Sequence, residues 1–143
     1  MNKKTIPLSL IDEFQATSTG HDILRYIVLP DLLGSNSENL LYFSGRSLAR
    51  KFEIDSIEDI FYFYQKVSWG NLELLKEKKF EHTYLLMSDE IVKRIQSDIN
   101  VDFKLEAGFL AESIEMVTNR PCECFETINK RLFQVTFVIT FTD

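Results

Sequence analysis

"LFQVTFVITF", residues 132–141, decides the fold. Phe133, Val135, Phe137, Ile139 and Phe141 alternate with Leu132, Gln134, Thr136, Val138 and Thr140. A period of two is a β-strand with one face on a core and the other face wetter. The residues just before it, near 121–128, form a second strand joined to the first around Asn129. A hairpin centred on Asn129–Lys130 pairs Cys124 with Val135 and Cys122 with Phe137, which puts both cysteines on the apolar face. Further upstream, "NLELLKEKKFEHTYLLMS" at 71–88 reads as another hairpin, with strands near 71–76 and 82–87. Between the hairpins runs a helix from about 102 to 118. Hairpin-linked strands mixed with helices argue an α+β fold, an antiparallel sheet with its helices gathered on one side.

The remaining helices follow from spacing and caps. Residues 7–15 form a short one. In "STGHDILRYIVLPDLLG", 18–34, Thr19 and Asp22 make a capping pair ahead of Ile23, Leu24, Ile27 and Val28. Pro30 ends or kinks that helix and Gly34 suits its stop. Ser35 and Glu38 make a capping box for the next, whose Leu41, Gly45, Leu48 and Phe52 share a face. Gly45 costs about 1 kcal/mol relative to Ala, so a second helix or a ligand approaches its backbone closely. Ser56 caps a helix in which Ile57, Ile60, Phe61 and Tyr64 form one face while Tyr62 and Phe63 fall elsewhere. A helix apolar nearly all round is buried on more than one side, as at a subunit interface. Ser88 caps a short helix carrying Ile91, Val92 and Ile95.

The 143 residues fit one domain, 1–143, large enough to bury roughly 70% of its unfolded surface without a disulfide or metal staple. Twelve phenylalanines and five tyrosines exceed what such a core requires, which leaves some for an interface or a pocket. A net charge of −6 argues against a nucleic-acid partner, and "KEKK" at 76–79 is a solvated turn. No apolar run reaches the length of a membrane span, and the N-terminus lacks a signal-peptide core. The expected location is the cytoplasm, with the two cysteines reduced.

On a helical wheel Phe103, Ala107, Leu110, Ala111, Ile114 and Val117 share a broad face. Leu105, Phe109 and Met116 lie almost opposite, so the helix packs on the sheet with one side and on another helix with the other. Glu106, at the edge of the broad face, either reaches water or is buried and needs a partner, for which Arg46 or Arg50 is placed. Same-face strand neighbours such as Cys122 and Cys124 have Cα atoms about 6.5–7 Å apart, at or beyond the disulfide limit of about 6.8 Å. A structural zinc site wants four N or S ligands, and only His21 and His82 are available to join the two thiols. A catalytic thiol needs a depressed pKa, the opposite of what a core-facing strand supplies. The cysteines are small core hydrophobes or thiols lining an internal pocket. Trp69 is a packing anchor or a pocket wall. Neither a phosphate loop nor a catalytic triad order is present, and pairs such as Asp12/Glu13 and Glu58/Asp59 sit where helix N-terminal charge explains them. No metal, no cofactor and no catalysis are expected.

"LYFSGRSLARKF" (41–52), "VSWGNLELLKEKK" (67–79), "FKLEAGFLAESIE" (103–115) and the closing "CECFE" and "FQVTFVI" together resemble the YslB-like bacterial family of unknown function, over about residues 20–141. That family is similar to vinyl-4-reductase domains and to transport-particle (TRAPP) subunits, and more remotely to haem nitric-oxide-binding domains. The resemblance implies helices on one face of a twisted antiparallel sheet of about four strands, often dimeric through helices. It also implies an interior able to hold a small or lipid-like ligand. A two-strand thiol site does not carry over, because the second thiol falls near Val135. Haem ligation does not either, since neither His21 nor His82 is in the matching place. Nor does acylation, since no cysteine precedes Cys122.

Three readings follow. The first is a non-catalytic binding module, a homodimer holding a small hydrophobic ligand beside the 102–118 helix against Trp69, Glu106, Phe109, Cys122 and Cys124. The second is an adaptor that docks an unidentified protein partner through Tyr62 and Phe63 as exposed anchors. The third, weaker, is a thiol-dependent enzyme.

Overall fold

The computed structural model describes residues 5–9 and 18–143. The elements are α1 (Ser18–Ile23), a π turn (Leu24–Val28), α2 (Leu29–Leu33), a short 3-10 turn (Gly34–Asn36), α3 (Ser37–Ala49), α4 (Ile57–Lys66), β1 (Asn71–Glu77), β2 (Glu81–Met87), α5 (Asp89–Gln96), α6 (Lys104–Thr118), β3 (Cys122–Asn129) and β4 (Gln134–Phe141). The strands form one antiparallel sheet in the order β1-β2-β4-β3. The α+β class and the helix-on-sheet arrangement are as expected. The 7–15 helix falls mostly on residues outside those described.

Period-two burial holds through β4, where Val135, Phe137, Ile139 and Phe141 point into the core. The hairpin register differs from expectation. Cys124 lies opposite Ile139 and Cys122 opposite Phe141, four residues further along β4. The cause is a wider turn. The Asn129 side-chain oxygen accepts from the backbone N–H groups of Arg131 and Leu132, at 3.0 and 3.1 Å, and Phe133 turns back with φ +53°. Phe133 therefore leaves the strand. The displacement is even, so both cysteines keep the apolar face.

α6 is the central helix. Glu106 to Ala111, Ser113 and Ile114 are all buried, with β3 on one side and α3 on another. The α3–α6 crossing is the close approach anticipated at Gly45. A Cβ there would collide with the Leu105 carbonyl oxygen and lie 2.8 Å from Phe109 N, and a Cβ at Gly108 would collide with the Tyr42 carbonyl oxygen. The two bare glycines let the backbones meet.

Ser56 and Ser88 cap α4 and α5, accepting from Asp59 N at 3.2 Å and Ile91 N at 3.1 Å. The Ser35–Glu38 capping box does not form, because Ser35 lies in the 3-10 turn and Asn36 takes the N-cap without a side-chain bond. α1 starts at Ser18, which places Thr19 inside the helix. Pro30 has no N–H for the carbonyl four residues back, and the chain widens just before it, with Leu29 N bonding Leu24 O. Gly34, at φ 78°, ends α2.

Tyr62 and Phe63 are corrected as a pair of exposed anchors. Phe63 is 2% exposed, because α4 turns it onto Phe52, Trp69 and Phe109, while Tyr62 is half-buried with the Lys66 ammonium 5.5 Å from its ring centre.

Candidate functional site

Of the side chains expected to line a pocket beside α6, Trp69 and Phe109 meet in the core, whereas the Glu106 carboxylate turns away to Arg25. Phe109 stacks on Phe63 with ring centres 4.2 Å apart and takes Trp69 and Tyr64 edge-on at 5.4 and 5.7 Å. Tyr64, fully buried, donates to the Glu106 carbonyl oxygen at 2.5 Å. Trp69, Phe109, Cys122 and Cys124 all belong to the hydrophobic core. The Cys122 thiol donates to the Ala111 carbonyl oxygen at 3.3 Å. Burial first, then the Glu115 carboxylate, pushes the Cys122 thiol up to about 12. Burial holds Cys124 well above its ordinary value. Both are thereby held away from the thiolate form that a nucleophile needs. Among the described residues no group of three or more His, Cys, Asp or Glu is arranged to hold a metal ion.

Glu106 is buried, and its partner is neither Arg46 nor Arg50. The Arg25 guanidinium, 2% exposed, grips both Glu106 carboxylate oxygens at 3.0 Å and the Asp102 carboxylate at 3.1 Å. A forked guanidinium on a carboxylate is the strongest geometry for such a pair. Burial opposes the Arg25 charge, but Glu106 outweighs it and the net shift is upward. Beside it Tyr26 is buried, its hydroxyl pushed up by burial and then by Glu106. Arg94 of α5 completes the cluster, donating to Asp22 at 2.9 Å. Among the described residues Arg25 Nε and Tyr26 Oη find no hydrogen-bond partner. Sequence reasoning missed Arg25 because the apolar run around it suggested a helix facing inward with Ile23 and Ile27. One charge inside "ILRYIVL" was the available signal, since it marks the face that differs from the rest.

The packing of residues 18–33 is inverted as a result. Arg25 and Tyr26 are buried, whereas Ile23, Leu24, Ile27, Val28 and Leu32 are 44–75% exposed. Leu40 and Phe43 of α3 are also open, at 43% and 65%.

Arg46 organises a second polar cluster. It reaches Glu112 and Glu123 at 2.9 Å, Glu115 at 3.4 Å and the Cys122 carbonyl oxygen. Arg50 also pairs with Glu112, at 3.1 Å. The Tyr42 hydroxyl donates to Glu123 at 2.6 Å and accepts from Cys124 N at 3.1 Å, and Cys122 N donates to Glu115 at 2.9 Å. β3 is an edge strand, and these side chains occupy the outward backbone groups of its first half. That is how an exposed edge is kept from pairing with another chain.

The fold and the two charged clusters define an α+β module with its helices packed on one antiparallel sheet. The chain belongs to DUF2507, a protein family of unknown function, matched over residues 18–140. It is 33% identical over 129 residues to the uncharacterized protein YslB of Bacillus subtilis (strain 168), covering 90% of this chain and 87% of that one. Its fold is similar to a vinyl-4-reductase family protein from Methanocaldococcus jannaschii, with a TM-score of 0.72 at 19% identity over 95% of this chain and 88% of that one. It is also similar to an Fe(II) unliganded H-NOX protein from K. algicida, with a TM-score of 0.51 at 13% identity over 95% and 86%. None of the helices among the described residues is long and apolar enough to cross a membrane.

Proposed function

We propose that this chain is a single-domain, non-catalytic binding module that works by self-association through the outer face of residues 18–43. One observation carries the reading: a helical arm that buries its arginine and tyrosine and leaves Ile23, Leu24, Ile27, Val28 and Leu32 in water. An apolar face of that size marks an interaction site. With seven large side chains about half exposed, it offers roughly 800 Å² of apolar surface, the share one partner contributes to a standard interface. The occupant is a second copy: the stretch from Ile23 to Val28 exposes apolar groups and no charge, and the exposed acids of the face, Asp31 and Glu38, lie beyond it. The two unpaired, buried thiols fit a reducing cytoplasm. The packing of Phe63, Tyr64, Trp69 and Phe109 against one another weighs against a ligand held beside α6.

Sedimentation equilibrium tests this. The wild type is expected to be a dimer at micromolar concentration, and Ile27→Glu with Leu32→Glu a folded monomer. A wild-type monomer throughout the range would overturn the reading. Native mass spectrometry of protein from its own host is the companion measurement, and a retained apolar ligand would restore the pocket.

A further inference from the structure

The arm of residues 18–33 is held to the body in an unusual way. An amphipathic helix ordinarily docks through its apolar stripe. Here the inward side sets Arg25, Tyr26 and Asp22 beside the half-buried Leu29 and Leu33, and its charged anchors are Arg25 on Glu106 and Asp102, and Asp22 on Arg94. These charges come from three places: the arm itself, α5, and the start of α6 with the residue pair before it. His21, half-exposed beside Asp22 at 3.3 Å, completes the set. A buried ion pair repays its desolvation only partly, and the unpartnered Arg25 Nε and Tyr26 Oη add to the deficit. The clamped position therefore competes only with alternatives in which both charges of the pair regain solvent together. The obvious alternative is rotation of the arm about its axis, which would turn Ile23, Ile27 and Val28 onto the chain's own body. The π turn favours the clamped form, since its wider winding brings the neighbouring residues Arg25 and Tyr26 inward together.

We infer that the Arg25 clamp regulates the association face: making the ion pair and burying the outer side of the arm against a second copy are one coupled equilibrium. This rests on the self-association reading above. The clamp holds the apolar face outward, and the partner, by covering that face, removes the drive to rotate. Linkage then requires that whatever loosens the clamp weakens the dimer by the same factor, and that whatever blocks the dimer loosens the clamp.

The test uses hydrogen exchange and sedimentation equilibrium on the wild type and on the Arg25→Met/Glu106→Leu double variant. Replacing a buried pair by apolar residues of similar size usually preserves stability, so this variant is expected to fold. Its amides in 18–33 should exchange about 10-fold faster, with β4 amides unchanged, and its dimer should weaken about 10-fold. Ile27→Glu should show the reciprocal effect, faster exchange in the arm. If the double variant is unstable, Asp102→Asn gives the same comparison with a smaller perturbation. A loosened arm with an unchanged dimer constant overturns the coupling, as does an unchanged arm. A wild type that is monomeric at every concentration overturns the self-association reading instead, so the two failures are distinct.

Discussion

At the scale of single residues, the glycines at the α3–α6 crossing and the thiols under α6 make the sharpest tests. Gly45→Ala and Gly108→Ala would each gain up to about 1 kcal/mol of helix propensity. Each also drives a methyl group into the carbonyl oxygen of the other helix, and rigid backbone cannot yield as a side chain can. Overpacking of this kind costs about 1–3 kcal/mol, so both variants should unfold at lower urea than the wild type. Cys122 and Cys124 should be silent to a thiol reagent at pH 8 and react only on unfolding. Their thiols are raised above the ordinary 9.0, to about 12 for Cys122. The unfolded chain therefore loses these protons first as pH rises. For Cys122 the contribution to stability is complete below pH 9 and declines from there toward pH 12, by about 1.4 kcal/mol per pH unit, and Cys124 acts in the same direction. Replacing both by alanine should flatten that part of the stability profile. A wild-type slope retained in the alanine variant would place its origin in the raised tyrosines instead.

Among the elements, β3 shows how much was legible in the sequence. The strand, its inward cysteines and the helix before it follow from period-two and helical patterns, which are local properties. The partners of its free edge do not. Arg46 lies 76 residues from Cys122, and only the α3–α6 crossing brings them together. The same distance effect hid Arg25 from Glu106, 81 residues away, and sent the expectation to Arg46 and Arg50 instead. Phe63 was misassigned for a related reason. Tertiary packing chose which stripe of an all-round apolar helix faces inward, and Phe109 on a distant helix made the choice. Arg46→Ala leaves the largely buried Glu112 without one of its two arginines, the partly buried Glu115 without its arginine, and the exposed Glu123 without its own. It should cost about 3 kcal/mol, measured by urea unfolding. Arg46→Lys should recover only part of this, because an ammonium cannot fork between carboxylates and a carbonyl.

For the whole molecule, the balance of polar and apolar surface predicts how association responds to conditions. The proposed face is apolar from Ile23 to Val28 and exposes only acids beyond it, Asp31 and Glu38, so raising the salt should leave the dimer constant unchanged or slightly tighter. A constant that weakens steeply with salt would point to a charged surface elsewhere as the contact. The β3–β4 hairpin has its own consequence for the chain's length. Its register lies four residues from the simplest expectation, yet the inside and outside of the sheet are unaltered. What the core senses here is the parity of pairing. A slip of two residues between β3 and β4 would leave every strand residue on its present side, whereas a slip of one would set inward residues of one strand against outward residues of the other. Residues added within 130–133 only lengthen the bend, because pairing with β2 and the inward Phe137 and Ile139 hold β4 in place. The bend is free to vary in length while the strands beside it are not free to slide.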